Sequence, residues 1–551
     1  MQDSQSRSPR RTPLPVACLS AGFLVLGMVA AACSPSPAAP TSPTAAGAPS
    51  AAPTGSVSSG NSPTAAPTTG GQVTAAMQYD SSDMDPATLN SVTDQQEMGG
   101  VFDGLVRYRL GGTEIEPALA ESWDTGGGGT RVTFHLRQGV RFHDGSPLSS
   151  SDVKFTFDRI KDPATKSPSA GLFASITSVE TPDDSTAVLV LAQPEPSLLV
   201  TLASTAGWIV PQKIVTQAGD AFHHQAVGTG AFKLDRWTPG SELVLARNPG
   251  WWGGPPPLDR VVYKPITDPS TMYAAFDAGN VDIVQVTDPD KYEQYKADTT
   301  HVTLTEVPGL ITRFFGMNTR AKPFDSPQVR EAVIRAIDRP GLVSGLFKGM
   351  SEVATQAAAP GVDAHVDGLS QYEYDPEKAR ALLAQAGYPS GTSFEFWVPN
   401  IDRFTNPATV VQEQLKAVGL DAQIKVLDTP SLLQAIAKAQ APMFILSRGQ
   451  EPTGDRLLYT WFHTKSFPPG SNWAYVSNAD VDAWIDEFRK TSDLAKRQDL
   501  SRKIEQAVND GAYYDFLDHE KHIFAVRKRI RGFVSDPFRS MKMHPVSVTQ
   551  Q

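Results

Sequence analysis

Cysteine is nearly absent from this chain. The 551 residues contain two, Cys18 and Cys33, and both fall within the first 33 positions. Everything after them has neither a disulfide nor thiol chemistry, and a chain of this length buries enough apolar surface without cross-links. Charge is missing from one long stretch: no charged residue occurs between Arg11 and Asp80. Basic concentrations suited to nucleic acid are also lacking, since the formal net charge is −10 and Arg527–Arg531 (RKRIR) is too short to change that. That short run reads as a solvated strand face. There is no G-x-x-x-x-G-K-[ST] run, so the chain does not hydrolyse nucleotides through a P-loop. His519-Glu520-Lys521-His522 is not H-E-x-x-H, and on a strand positions i and i+3 point to opposite faces. His223-His224 has no third ligand in sequence. A glycosidase needs two carboxylates across a cleft, and nothing among the 59 acidic residues singles out a pair. No metal, cofactor or catalytic residue is therefore expected.

The N-terminus carries the strongest local signal. Arg7, Arg10 and Arg11 precede an apolar run, Leu14 to Ala32, that ends in small residues directly before Cys33. A basic start, an apolar stretch and Ala-Ala-Ala-Cys describe an export signal over residues 1–32. A cysteine at the cleavage point is the mark of a bacterial lipoprotein signal, in which the thiol takes a lipid. An uncleaved transmembrane anchor is the alternative, because the run is about long enough to span a bilayer. Ala30 stands where such signals usually have leucine. Loss of residues 1–32, with Asp3 against three arginines, takes the net charge from −10 to −12. Residues 33–71 then form a lipidated flexible linker: Ser, Pro, Ala, Thr and Gly offer no burial to offset the entropy of ordering. The remainder is expected to be extracytoplasmic, tethered to the membrane on its outer side, periplasmic or cell-surface.

Residues 72–200 read mostly as strands. Val132, Phe134 and Leu136 alternate with polar residues after the turn-forming Gly126–Gly129, and TAVLVLA (186–192) is a second strand. Beyond about residue 315 the pattern becomes α/β. Ser326-Pro327 and Asp375-Pro376 are helix starts, and Gly387 is a stop. A strand at Phe394–Val398 leads to the helix ATVVQEQLKAVG, ended by Gly419. Strands near Ile424 and at Met443–Leu446 flank another helix. Strand-rich first, α/β later and strands returning at the end suggest two lobes with a cleft, where small ligands tend to bind.

Five motifs then appear in order: LAESWDTGGGGTRVTFHLRQGVRFHDGSPLSSSDVKFTFDRI (119–160), GTGAFKLDRWTPGSELVLARNPGWWGGPPPLDRV (228–261), DAGNVDI (277–283), GMNTRAKPFDSPQVREAVIRAIDR (316–339) and DPEKARALLAQAGYPSG (375–391). They resemble the extracellular solute-binding proteins of family 5, the peptide- and nickel-type binding components of ABC importers. The resemblance implies a two-lobed α/β fold of the periplasmic-binding-protein type, with a hinge and an extra inserted subdomain. Lobe I is expected at 72–104, 205–312 and 520–551, the inserted subdomain at 105–204, and lobe II at 313–519. The chain would cross between lobes near Ile311–Asn318 and Tyr513–Glu520. Within the motifs, Gly139, Gly145 and Pro147 read as turn formers, His135 and His143 as buried or hydrogen-bonded, and Trp251-Trp252 as packing.

The implied function is capture of an oligopeptide or dipeptide and its delivery to a membrane permease with separate ATPase subunits, by a monomer that is not an enzyme. Alternatives are a non-peptide solute (nickel chelate, sugar or other anion), a ligand-presenting sensor or, more weakly, an exported hydrolase. FWVPNIDRFTNPATVVQEQLKAVG (396–419) resembles the segment of dipeptide-binding members that carries a carboxylate-pairing arginine, and Arg403 falls on it. MFILSRGQEPTGDRLLYTWF (443–462) matches the segment that holds an amine-binding aspartate, but Gln450 stands at that position. Glu451 or Asp455 would have to substitute, and Arg448 in the same stretch favours an anionic ligand group instead. Trp397, then Trp461 and Trp473, are the aromatic candidates for the cleft.

Overall fold

The computed structural model describes residues 69–388, 390–449 and 453–549. The export signal 1–32, Cys33, the linker up to residue 68, Gln450 and Glu451 lie outside the described residues. No helix among the described residues is long and apolar enough to cross a membrane.

An eleven-stranded sheet runs through the molecule. At its centre two long strands, Val302–Met317 and Tyr514–Arg527, pair antiparallel. Sixteen residues extend roughly 50 Å at about 3.3 Å each, long enough to belong to both lobes. The N-terminal half of Val302–Met317 pairs only with Tyr514–Arg527, whose other edge there takes Ile283–Gln285. From that strand the sheet continues through Gln72–Met77, Arg260–Pro265, Glu242–Arg247 and Phe232–Thr238. The C-terminal half of Val302–Met317 instead takes Met443–Gly449 on its outer edge, followed by Thr392–Pro399 and Leu420–Leu427.

Alternation along these strands builds a core on each face. Phe314, Phe444 and Phe516 enter one cluster with Trp461 and Tyr514; their neighbours Phe315, Ile445 and Leu517 enter another beneath the helices Pro327–Ala336 and Asp402–Ala417. In the other lobe Val73, Ala75 and Phe524 face one cluster, while Ala76, Ile523 and Ala525 face a second. A fifth cluster, built almost wholly from residues 105–209, lies against a separate four-stranded sheet: Ala120–Gly126, Arg131–Leu136, Thr186–Leu191 and Ile176–Asp183.

Local chemistry sets the element ends. Ser326 accepts from the Val329 N–H at 3.5 Å and Asp375 from the Lys378 N–H at 2.9 Å, each before a proline at the first helical position. Gly387 ends its helix at φ 76°. Three expectations change. The strand-like stretch after residue 148 holds the helix Ser150–Lys161, opened by a reciprocal cap between Ser149 and Asp152. Val153, Phe155 and Phe157 alternate like a strand, which conceals it. The helix expected to begin at Ala408 begins at Asp402 and contains Pro407, which withholds the N–H that would bond the Arg403 carbonyl. Arg403 is therefore in a first helical turn. The run at 527–531 is no solvated face throughout: Arg527 donates to the Asp277 carbonyl at 2.9 Å, and Arg529 pairs with buried Asp282 at 2.7 Å.

The long strands lose regular register between Pro308 and Thr312. Gly309 lies there, with room for nothing larger: an added Cβ would stand 2.6 Å from the Glu520 carbonyl oxygen and 2.7 Å from the His522 ring. Beside the irregularity a buried charge cluster ties the strands together. Arg313, 4% exposed in its side chain, donates to Glu520 at 2.9 Å and faces Asp518 at 3.6 Å. The ring of Phe347 covers the guanidinium at 4.1 Å. Burial raises both carboxyls, but Arg313, aided by Arg403, outweighs it at Glu520 and brings that group down to about 2. Asp518 stays raised, at about 6, because its desolvation exceeds the attraction of Arg313 and Glu520 opposes its ionisation.

Two outcomes follow. Gly309→Ala is expected to cost about 1–3 kcal/mol in chemical denaturation, because the opposing contact is backbone and cannot turn aside; an unchanged midpoint contradicts the packing account. Glu520→Gln is expected to cost roughly 3–5 kcal/mol at neutral pH by leaving Arg313 short of charge. Glu520 is depressed in the fold, so its contribution is complete above its ordinary value near 4.5 and is lost as pH falls towards about 2. The difference between variant and wild type should therefore shrink below about pH 4.5, and a gap independent of pH would be inconsistent with the ion pair.

Candidate ligand-binding cleft

A cavity of about 520 Å³ opens beside the register irregularity. Leu310 and Ile311 of the long strand form its back. One side comes from lobe I: Gln95 of the helix Val92–Met98, with His522, Phe538 and Arg539. The other comes from lobe II, from Arg448, Thr453, Arg456, Leu457 and Trp461. Cleft and hinge therefore share residues.

Arg448 is near the end of Met443–Gly449, partly buried and facing the cavity. Its guanidinium lies over two indoles, 4.6 Å from the Trp461 ring centroid and 4.8 Å from that of Trp473. It donates to the Ser471 carbonyl and to Thr460 Oγ1, each at 3.2 Å. Among the described residues no carboxylate comes within ion-pair distance of it. Desolvation accordingly lowers it to about 10, which leaves it a cation at neutral pH. Its aromatic wall is fixed from behind: Trp461, on the helix Gly454–Phe462, is 2% exposed and packs on Phe314 at 4.8 Å.

On the lobe I side Arg539 donates through Nε to His522 Nδ1 at 3.2 Å and faces Glu520 at 3.7 Å. His522 Nε2 in turn donates to the Pro537 carbonyl at 3.1 Å. These bonds fit the neutral ring, and burial pushes His522 down to about 3. His519, three residues earlier, meets Thr312 Oγ1 at 2.9 Å, so the two histidines serve different surroundings. Gln96 donates to the Arg539 carbonyl at 2.7 Å and fixes the C-terminal segment against the first helix.

The other positions singled out in the sequence are spread more widely. Arg403 is exposed in the first turn of Asp402–Ala417, 5.0 Å from the Phe404 ring. Its charge acts on Asp518, Glu520 and Arg539, which puts it in electrostatic reach of the hinge. Trp397 is 6% exposed, donates to Glu395 at 2.8 Å and is covered by Lys425 at 4.0 Å. Asp455 is bound to Arg497 at 2.7 Å and to Thr453. Arg497 also holds Asp363 at 2.6 Å. A second cavity of about 340 Å³ adjoins the first, sharing Thr453 and Arg456. It lies between Glu195 and Ser197 on one side and Asp455, Tyr459 and Arg489 on the other. Arg539, Arg456 and Gln95 had no sequence signal; His522 was visible only as part of the failed metal motif.

The sequence profile of the bacterial extracellular solute-binding proteins, family 5 Middle, matches residues 114–468. The glutathione-binding protein GsiB of Escherichia coli (strain K12) is 29% identical over 481 residues, covering 84% of this chain and 91% of that protein. The ABC transporter-associated periplasmic binding protein DppA from Helicobacter pylori, solved in complex with the peptide STSA, superposes with a TM-score of 0.74 at 26% identity, covering 88% of this chain and 99% of that one. The PBP AgaA from A. tumefacien R10, in complex with agropinic acid, gives a TM-score of 0.72 at 26% identity, covering 87% and 99%. With its profile match over more than half the chain, its two-lobed α/β fold and a cavity at the hinge, this chain belongs to the bacterial extracellular solute-binding proteins of family 5.

Proposed function

We propose that the protein is the extracytoplasmic substrate-binding component of an ABC importer. It takes up a small solute, an oligopeptide or dipeptide, in the inter-lobe cleft and passes it to a membrane permease driven by separate ATPase subunits. The observation that carries this reading is the position of the cavity: it lies at the hinge of a solute-binding fold and draws its walls from both lobes. Peptide as the solute class is supported by the relatives, which bind glutathione and the peptide STSA. Binding without chemical conversion of the solute is part of the proposal. The chain is divided as the sequence suggests, into lobe I (72–104, 205–312 and 520–551), an inserted subdomain (105–204) and lobe II (313–519). It works as a monomer, lipidated at Cys33 and held on the outer side of the membrane.

Arg403 is the proposed anchor for a ligand carboxylate, since a guanidinium offers a two-pronged fork to that group. A second reading, a non-peptide acidic solute, is favoured by Arg448 and by the relative that holds agropinic acid.

Titration calorimetry with a dipeptide panel tests the proposal. A ligand bound only by the native state should raise stability by about 2.7 kcal/mol at a hundredfold excess over Kd, with the ligand recovered unchanged. Cleavage of the peptide would instead make the protein a hydrolase. Losing one charge-assisted hydrogen bond costs about 1.5–3 kcal/mol. Arg403→Ala should therefore weaken a free dipeptide at least tenfold and leave its C-terminal amide unaffected; equal affinities for the dipeptide before and after substitution remove Arg403 from the site. Mass spectrometry of membrane-associated protein should find an acylated Cys33 as the first residue, and an unmodified thiol there would rule out the anchor.

A further inference from the structure

Among the described residues, the formally charged groups that line the cavity are all guanidinium groups. Arg448, Arg456 and Arg539 face it, and among the described residues no carboxylate is part of its lining. Of the described acids nearby, Glu520 holds Arg313 at 2.9 Å and faces Arg539 at 3.7 Å, and Asp455 holds Arg497 at 2.7 Å; none of them reaches Arg448. His522 adds no negative charge and is hydrogen-bonded through both ring nitrogens. An ammonium group placed at Arg448 would meet a guanidinium with which no carboxylate of the described residues pairs, in a protein whose overall charge is −10.

Arg448 has what an anion needs. A guanidinium offers five N–H donors in a fixed fork, and the described residues supply acceptors for two of them, Ser471 and Thr460. The rings of Trp461 and Trp473 both lie against its guanidinium, at 4.6 and 4.8 Å. Two indoles also exclude water, which strengthens any bond the guanidinium makes. A desolvated cation without a counter-ion is costly in the empty protein, and a ligand anion would offset that cost. Burial of Arg448 by itself lowers its affinity for the proton, as expected of a charge waiting for its partner.

From this arrangement we infer that the lobe II wall of the cleft is an anion subsite centred on Arg448, and that the solute places a carboxylate against it where a zwitterionic peptide would place its amine. The solute is then an acidic one, with a second carboxylate besides any held by Arg403. This inference rests on the reading of the cleft as the solute site.

Three probes on one backbone test it: Ala-Ala, N-acetyl-Ala-Ala and N-succinyl-Ala-Ala, which at the N-terminal end carry an ammonium, no charge and a carboxylate. Binding is followed by calorimetry and by the fluorescence of the tryptophans flanking Arg448. The succinyl probe should bind at least tenfold more tightly than the acetyl probe, and Arg448→Met should abolish that difference while sparing the acetyl probe. Arg448→Lys, which keeps the charge but loses the fork and the stacking, should retain only part of the preference. The unliganded Arg448→Met protein should melt no lower than wild type. Equal binding of all three probes, or tightest binding of free Ala-Ala, leaves the cleft as the solute site and overturns the anion subsite. A preference that survives Arg448→Met, with a lowered melting temperature, makes Arg448 a structural residue. Failure of every probe to bind the wild type overturns the peptide-sized cleft reading and the inference with it.

Discussion

Val302–Met317 and Tyr514–Arg527 are hydrogen-bonded to each other through both lobes, and every other strand of the large sheet is placed by one of them, directly or through a neighbour. This pairing constrains the rest of the molecule. Regular ladders resist bending, and this one is broken around Gly309 and Glu520. The same stretch carries the buried Arg313–Glu520 pair. A buried ion pair adds little net stability, since desolvation consumes most of its attraction, but it tolerates few alternative arrangements. At a hinge, that property defines the resting geometry without adding a rigid apolar seam.

The cleft inherits its chemistry from this placement. Leu310 and Ile311 reach it from the strand that forms the hinge, and His522 from that strand's partner. Arg539 arrives by a different route, on an irregular C-terminal segment pinned by Gln96. Among the described acids nearby, Asp455 is held by Arg497, and Glu520 is shared between Arg313 and the Arg539 of the wall.

Much of the fold was legible in the sequence because its signals are local. Caps at Ser326 and Asp375, the glycine turns and the alternation at Val132–Leu136 depend on near neighbours. Where reading failed, two local signals competed. Val153, Phe155 and Phe157 have a strand's period on a helix whose cap is only three residues long in sequence, and Pro407 imitates a helix start inside a helix. The site was less legible. Arg448 and Trp461 lie in a stretch that the motifs pointed to, and the structure brings them together. Asp455 could not be assigned from sequence, because the residue that engages it comes 42 positions later on another helix. Arg539 belongs to no pattern and reaches the cleft only through the tertiary fold.

Closure of the lobes about a solute, with the two long strands as hinge, is the central claim. Its most direct test is a distance across the cleft. With Cys18 and Cys33, the protein's two cysteines, replaced by serine, Ala174→Cys and Lys490→Cys give two labelling sites, both exposed and next in sequence to segments that line the second cavity from its two sides. The inter-label distance, measured by pulsed electron spin resonance with and without a peptide that raises the melting temperature, should shorten and its distribution narrow on binding. A distribution unchanged at saturating peptide would contradict the hinge.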